Sequence, residues 1–270
     1  GIACMLGEAG ATVYCTGRSV RGKPATGSRP ETIEETAELV TQYGGEGLYA
    51  QVDHTDEAQV KAFFERVKQE QGRLDILVND IWGGDAISQW GVPFWEQDVG
   101  KGLLMQQRAV HTHIITSRYG VPLMIAQNSG LIIEITDGDH LEYRGSLFYD
   151  LAKISTIRLA KAMAADLKGT GITAVSLTPG FLRSEEMLDG FGVTEENWRD
   201  AVAQDKHFIA SETPFFVGRA VAALAADPNV SAKAGQVFSS WNLAKEYDFK
   251  DMDGNQPDWG SYYETIKHTL

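Results

Sequence analysis

The chain has 270 residues, 43% hydrophobic and 23% charged, which suits one large globular domain with a substantial core. Its formal net charge of −13 argues against nucleic acid and anionic lipid as partners, and no run of about 18 apolar residues offers a membrane span. Cys4 and Cys15 are the only cysteines. Cys15 lies in an apolar strand pattern, so free buried thiols in a reducing cytoplasm are expected rather than a disulfide.

Short β-type runs fall at residues 11–16, 46–52, 74–79, 130–136, 172–178 and 235–239. Helical patterns separate them. Val60, Phe63, Phe64 and Val67 form one apolar stripe, and Ala152, Leu159, Ala160, Met163 and Leu167 another. A polar loop rich in glycine and proline spans residues 18–30 after the first run. Such alternation implies right-handed crossovers and predicts an α/β fold: a Rossmann-like, doubly wound parallel sheet flanked by helices, in a single domain over 1–270. Ligands in such sheets gather beyond the carboxyl ends of the strands. Those ends carry Gly17-Arg18, Asp53-His54, Asn79-Asp80, Thr136-Asp137 and Thr178-Pro179-Gly180.

Tyr149 and Lys153 follow the fourth of these ends, four apart at the start of an apolar helix. That spacing puts phenol and ammonium on one helical face, where the cation favours the ionised phenol. Tyr263 and Lys267 repeat the spacing near the C-terminus, away from the strand ends, and read as a surface pair.

In this order, GIACMLGEAGATVYCTGRS, VDHTD, LDILVND, LIIEIT, YDLAK and SLTPG resemble the short-chain dehydrogenase/reductase family over roughly residues 1–245. The tail LAKEYDFKDMDG is similar to that of a subgroup with vertebrate and bacterial members. The resemblance implies that Tyr149 is the catalytic acid/base and that Lys153 lowers its pKa and binds the nicotinamide ribose. It places Asp53 near the adenine, Asn79 at a structural position after the family's fourth strand, and Pro179, Gly180 and Ser184 against the nicotinamide. Asp53 and Asn79 also read simply as turn residues. Residues 181–215 would form the substrate loop and 241–270 a C-terminal extension. Homodimers or homotetramers would pack through the Tyr149 helix and the preceding one at 97–126.

Three departures from the family pattern stand out. The family's first strand and glycine-rich phosphate loop have no counterpart, and Gly1 falls just downstream of their place in the family pattern, so N-terminal residues of the natural protein are expected to be missing. The catalytic serine is replaced by Thr136 or Asp137. Thr136 keeps a hydroxyl to orient a carbonyl and is favoured to face the substrate, with Asp137 nearby. An ionised Asp137 would raise the Tyr149 pKa, whereas a protonated one would donate to substrate oxygen. Ala109 occupies the slot of an active-site asparagine.

The strand before Arg18 ends without an acid to hold ribose hydroxyls, and Arg18 suits a 2′-phosphate. With Arg21, Lys23 and Arg29 in the following loop, NADP(H) is preferred, with NAD(H) possible. Trp82, Trp90, Phe94 and Trp95, with Phe181, Met187, Leu188, Phe191 and Trp198, suggest a pocket for a small apolar carbonyl or alcohol substrate; each could equally be packing within the lid. His140 reads as a loop residue. No metal site is expected: His111 and His113 do not share a helical face, and the Asp251-Met252-Asp253-Gly254 segment has its glycine at the wrong position for a calcium loop. The leading reading is an NADP(H)-dependent oxidoreductase. The rival is a dinucleotide-binding or regulatory protein that keeps the fold without the chemistry, on account of Asp137 and Ala109.

Overall fold

The computed structural model describes residues 1–23, 25 and 29–267; residues 24 and 26–28 of the 18–30 loop lie outside the described residues. Strands form at all six predicted runs: β1 (Thr12–Gly17), β2 (Glu46–Gln51), β3 (Ile76–Asn79), β4 (Gly130–Ile135), β5 (Ile172–Thr178) and β6 (Val237–Ser239). The helices are α1 (Ile2–Glu8), α2 (Ile33–Gln42), α3 (Glu57–Gln71), α4 (Val99–Gln106), α5 (Thr112–Gln127), α6 (Leu147–Asp166), α7 (Glu185–Phe191), α8 (Pro214–Ala226), α9 (Ser240–Tyr247) and α10 (Trp259–Ile266). All strand pairings are parallel.

The expected single sheet is divided. One sheet pairs β1 with β2, and the other runs β3-β4-β5-β6. Among the described residues, β1 and β3 each pair on one side only. Between their open edges runs a cleft of about 960 Å³, whose lining includes Val13, Cys15, Leu77, Val78, Arg18 and Asp53.

Alternation along the strands builds the core. Leu77, Ile132 and Ala174 face α3 and α5, where Val60, Phe63, Phe64 and Val67 make the predicted stripe. Leu131, Ile133, Val175 and Leu177 face the opposite way, against Val217, Val221 and Leu224 of α8. Each such side chain contributes roughly 1.5–3 kcal/mol when fully buried. Asp56 caps α3 by accepting from the Ala58 and Gln59 amides, and Gly72 ends it in the left-handed conformation at φ 70°. The helix expected over 97–126 is interrupted: α4 and α5 are joined by a π-helical turn, Gln107–His111, in which Ala109 is buried. Cys4 and Cys15 are free and buried, and no described helix is long and apolar enough to cross a membrane.

One carboxylate sits at the centre of this apolar frame. Glu134 of β4 is fully buried, with Oε2 2.6 Å from His113 Nδ1 and Oε1 accepting from Asn79 Nδ2 at 2.6 Å. Asn79 also donates to Ser117 Oγ at 2.9 Å, and His113 Nε2 lies 3.0 Å from the Ile81 carbonyl oxygen. The cluster ties β3, β4 and α5 together. Removing one partner strands the others in apolar surroundings, so Glu134→Ala should lose about 3–5 kcal/mol of stability. Urea unfolding measures this, and a wild-type midpoint in the mutant would show the cluster to be energetically idle.

Candidate active site

Tyr149 and Lys153 lie in the first two turns of α6, and β4 delivers Thr136 and Asp137 opposite them. The Tyr149 hydroxyl donates to Asp137 Oδ2 at 2.8 Å. Thr136 turns away from the position expected of it. It is buried, and its hydroxyl donates to the main-chain oxygen of Lys153 at 2.7 Å, pinning the strand end to the helix. Asp137, not Thr136, therefore stands beside the phenol.

The expected lowering of the Tyr149 pKa does not hold in this arrangement. Burial, and then the Asp137 carboxylate, push the phenol well above its ordinary value. Lys153 does not offset this, because its Nζ stands 5.5 Å over the phenol ring rather than at the oxygen, and 4.0 Å over the Trp82 indole. Burial lowers the Lys153 pKa against the pull of the Asp137, Asp80 and Asp85 carboxylates. Among the described residues its ammonium makes no hydrogen bond or ion pair.

Trp82 is wedged in place. Its Nε1–H donates to Asp85 at 2.7 Å, its ring meets Tyr149 edge-on at 5.5 Å, and a Cβ on Gly84 would strike it. Trp90, though exposed, closes on Tyr149 at 4.8 Å, while the exposed Phe94 and Trp95 meet each other edge-on. Arg144 holds the loop that follows Asp137, donating to the carbonyls of Asp137, Gly138 and His140 and pairing with Asp150 at 3.0 Å.

The dinucleotide candidates fall at the cleft and beside it. Arg18 and Asp53 both line the cleft and form a half-exposed ion pair at 3.9 Å. Asp53 accepts from the amide and hydroxyl of Thr55, and these bonds outweigh burial to keep its carboxyl below the usual range. The additional positive charge expected from the 18–30 loop is largely neutralised. Arg21 pairs with Glu38 at 2.6 Å, and Arg29 pairs with Glu31 and with Asp189. Asn79 spends its amide inside the scaffold described above. Ser184 caps α7 by accepting from the Met187 amide.

The family model for short chain dehydrogenase matches residues 2–191. Dehydrogenase/reductase SDR family member 1 of Homo sapiens is 32% identical over 99% of this chain and 84% of its own length. Its Mus musculus counterpart is 34% identical over 94% and 79%. The 2-(R)-hydroxypropyl-CoM dehydrogenase of Xanthobacter autotrophicus is 29% identical over 57% and 62%. The crystal structure of a short chain dehydrogenase from Mycobacterium thermoresistibile superposes with a TM-score of 0.77 at 21% identity, covering 96% of this chain and 86% of that one. The chain belongs to the short-chain dehydrogenase/reductase family.

Membership makes the protein an oxidoreductase of the CH-OH/C=O class and implies NAD(P)(H) binding. The residues fit such a cofactor. Lys153 offers a buried cation with no oxygen partner among the described residues, and Arg18 and Asp53 line the cleft. Unlike the pocket wall expected from the family's substrate loop, Met187, Leu188 and Phe191 pack on Trp198 and Phe208 in a core of their own. Asp251, in the failed calcium motif, is buried and accepts from the Thr213 amide and hydroxyl.

One group in the site drew no attention in the sequence. Glu212 is fully buried, with Oε2 accepting from the Gly180 amide at 2.9 Å and from Ser240 Oγ at 2.6 Å. Its main chain bridges Phe181 and Arg183, so it fixes the Pro179-Gly180 turn. A Cβ on Gly180 would lie 2.9 Å from the carboxylate and 2.7 Å from Trp259 Cβ, leaving room only for glycine. A glutamate beside Thr213-Pro214, a helix start, carried no local signal of this contact.

Burial raises the Glu212 pKa to about 8, with the Ser240 and Gly180 bonds opposing the shift. The folded protein thus keeps a proton that the unfolded chain releases. The resulting stabilisation is complete below the ordinary carboxylate range and is lost as pH rises towards 8. Glu212→Gln should therefore flatten the fall in melting temperature between about pH 5 and about pH 8. Parallel wild-type and mutant curves would remove Glu212 as its cause.

Proposed function

We propose that the protein interconverts an apolar ketone or aldehyde and its alcohol, using NADP(H) in preference to NAD(H), with Tyr149 as acid/base. The observation that carries this reading is the meeting of Tyr149, Asp137 and Lys153 against Trp82, which itself lines the cleft. The name of the Xanthobacter relative, a hydroxypropyl-CoM dehydrogenase, accords with a hydroxyl-bearing substrate. The chemistry that a bound nicotinamide supplies is hydride transfer at the substrate carbon. Arg18 would hold its 2′-phosphate side, Lys153 a ribose hydroxyl, and Pro179-Gly180 would lie against the ring.

Tyr149 handles the proton. In reduction it gives its hydroxyl proton to the substrate oxygen, and in oxidation it takes that proton back. A phenol held well above its ordinary pKa stays protonated at neutral pH, which favours the reducing direction. While that hydroxyl donates to Asp137, Tyr149 is not a donor to substrate, so the hydroxyl turns from Asp137 to the substrate oxygen as the reaction begins. Trp82 and Trp90 supply the apolar walls.

The cleft itself is proposed to seat one further parallel strand with a phosphate-binding turn. The open edges of β1 and β3 and the apolar Val13, Cys15, Leu77 and Val78 support this. Exposed Val99, Leu103, Ile114 and Leu151 on α4, α5 and α6 fit assembly into a homodimer or homotetramer. The rival, a cofactor-binding protein without turnover, draws on the engagement of Tyr149 by Asp137 and on Ala109.

A carbonyl panel with NADPH separates the two readings. Turnover that falls by about 10²–10⁴ in Tyr149→Phe supports the enzyme, whereas tight NADPH binding without turnover supports the rival. Asp137→Asn removes a charge that raises the phenol pKa, so the limb on which alcohol oxidation rises with pH should move down by about one pH unit or more. An unmoved limb would dismiss Asp137 as the tuning group. Arg18→Ala should weaken NADPH binding by about tenfold and leave NADH alone, and unchanged NADPH affinity would sink the cofactor preference.

A further inference from the structure

The part-exposed C-terminal helix α10 carries the Tyr263–Lys267 pair, but the two side chains part company. Lys267 turns back to Glu264 at 2.6 Å, while the part-exposed Tyr263 reaches the loop that follows Asp137. Its hydroxyl donates to Glu142 Oε2 at 3.3 Å, and its ring stacks on His140 with centroids 6.0 Å apart and planes 12° off parallel. Both partners lie on the loop that starts at Asp137 and is held by Arg144. One turn earlier on α10, Trp259 packs on Phe181 at 5.5 Å, and its Cβ lies against Gly180. Between them Tyr262 meets His207 of the 181–215 region, its hydroxyl 3.1 Å from Nδ1.

Three aromatic side chains of one short helix thus grip three separate segments around the site. The helix is itself well seated. Asp258 caps it through the Ser261 amide and pairs with Lys245 at 2.7 Å. Gly260 allows it to press on Trp241, because a Cβ there would lie 2.4 Å from the indole nitrogen. Ile266 is buried beneath it.

We propose that Tyr263 and Trp259 are positioning residues that set substrate and cofactor fit separately: Tyr263 through the 137–144 loop that carries Asp137, and Trp259 through the Pro179-Gly180-Phe181 turn. The inference rests on the reductase reading above for which loop meets which ligand. The grip itself stands on the contacts alone. The two rings also meet each other at 6.3 Å, but each has its own loop partner, so loosening either one acts first on the ligand that its own loop meets.

The test compares Tyr263→Leu and Trp259→Leu with the conservative Tyr263→Phe and Trp259→Phe, in the full chain. In steady-state reduction of a carbonyl by NADPH, Tyr263→Leu should raise the carbonyl KM by about tenfold and leave the NADPH KM unchanged. Trp259→Leu should do the reverse, and each phenylalanine variant should recover most of the loss. Hydrogen exchange read by mass spectrometry without ligands should quicken over 137–144 in Tyr263→Leu and over 179–183 in Trp259→Leu, each sparing the other loop. Unchanged exchange in both variants overturns the inference whatever the enzyme does. A uniform rise in both KM values in both variants also overturns it, as a merely structural effect. Loop-specific exchange in a protein that turns over no carbonyl upholds the grip and overturns the reductase reading instead.

Discussion

A single buried carboxylate organises the centre of the molecule. Glu134 sits in the apolar strand β4, where an uncompensated charge would be costly, and its two oxygens are met by His113 and Asn79. The demand for those partners fixes α5 against β3 and β4. It also reaches the site, because His113 holds the Ile81 carbonyl just before Trp82. Trp82 in turn stands over Lys153 and edges Tyr149. The Tyr149 helix and the strand ends are therefore registered in part through this polar cluster.

That registration produces an electrostatic balance unlike a simple tyrosine–lysine pair. A carboxylate at hydrogen-bond distance acts on the phenol oxygen more strongly than an ammonium lying over the ring face. The lysine is stabilised by the indole quadrupole and by nearby carboxylates rather than by a direct oxygen partner. The phenol is consequently held in its acid form. The same logic of buried carboxyls appears at Glu212, which holds the Pro179-Gly180 turn from behind.

Side chains distant in sequence hold the loops around the site. Arg144 gathers the carbonyls of the Asp137 loop, Glu212 and Trp259 hold the Gly180 turn, and Tyr263 reaches back over 121 residues to Glu142. Arg29 and Asp189 join the loop after β1 to α7. Ordering loops in this way reduces the entropy lost when ligands bind.

Much of the fold was legible because it depends on local periodicity. Strand runs and the Val60–Phe63–Phe64–Val67 stripe follow from alternation and helical spacing, which the chain writes directly. The strand-end residues Arg18, Asp53, Asn79 and Asp137 follow from where those runs stop. Glu134 within LIIEIT was not singled out in the sequence, and its partner His113 lies 21 residues away, so the buried network emerges only with the fold. Other features were beyond local reading. Thr136 and Asp137 are adjacent and point to opposite sides of a strand, so only the register of β4 against α6 says which one meets the phenol. Tyr149–Lys153 and Tyr263–Lys267 have the same spacing, and the chain alone distinguishes them by position only. What each does depends on long-range packing: Asp137, Trp82 and Trp90 close around one tyrosine, while Glu142 and His140 receive the other. Helical spacing sets which side chains share a face, but the field and contacts at that face come from segments brought together by folding.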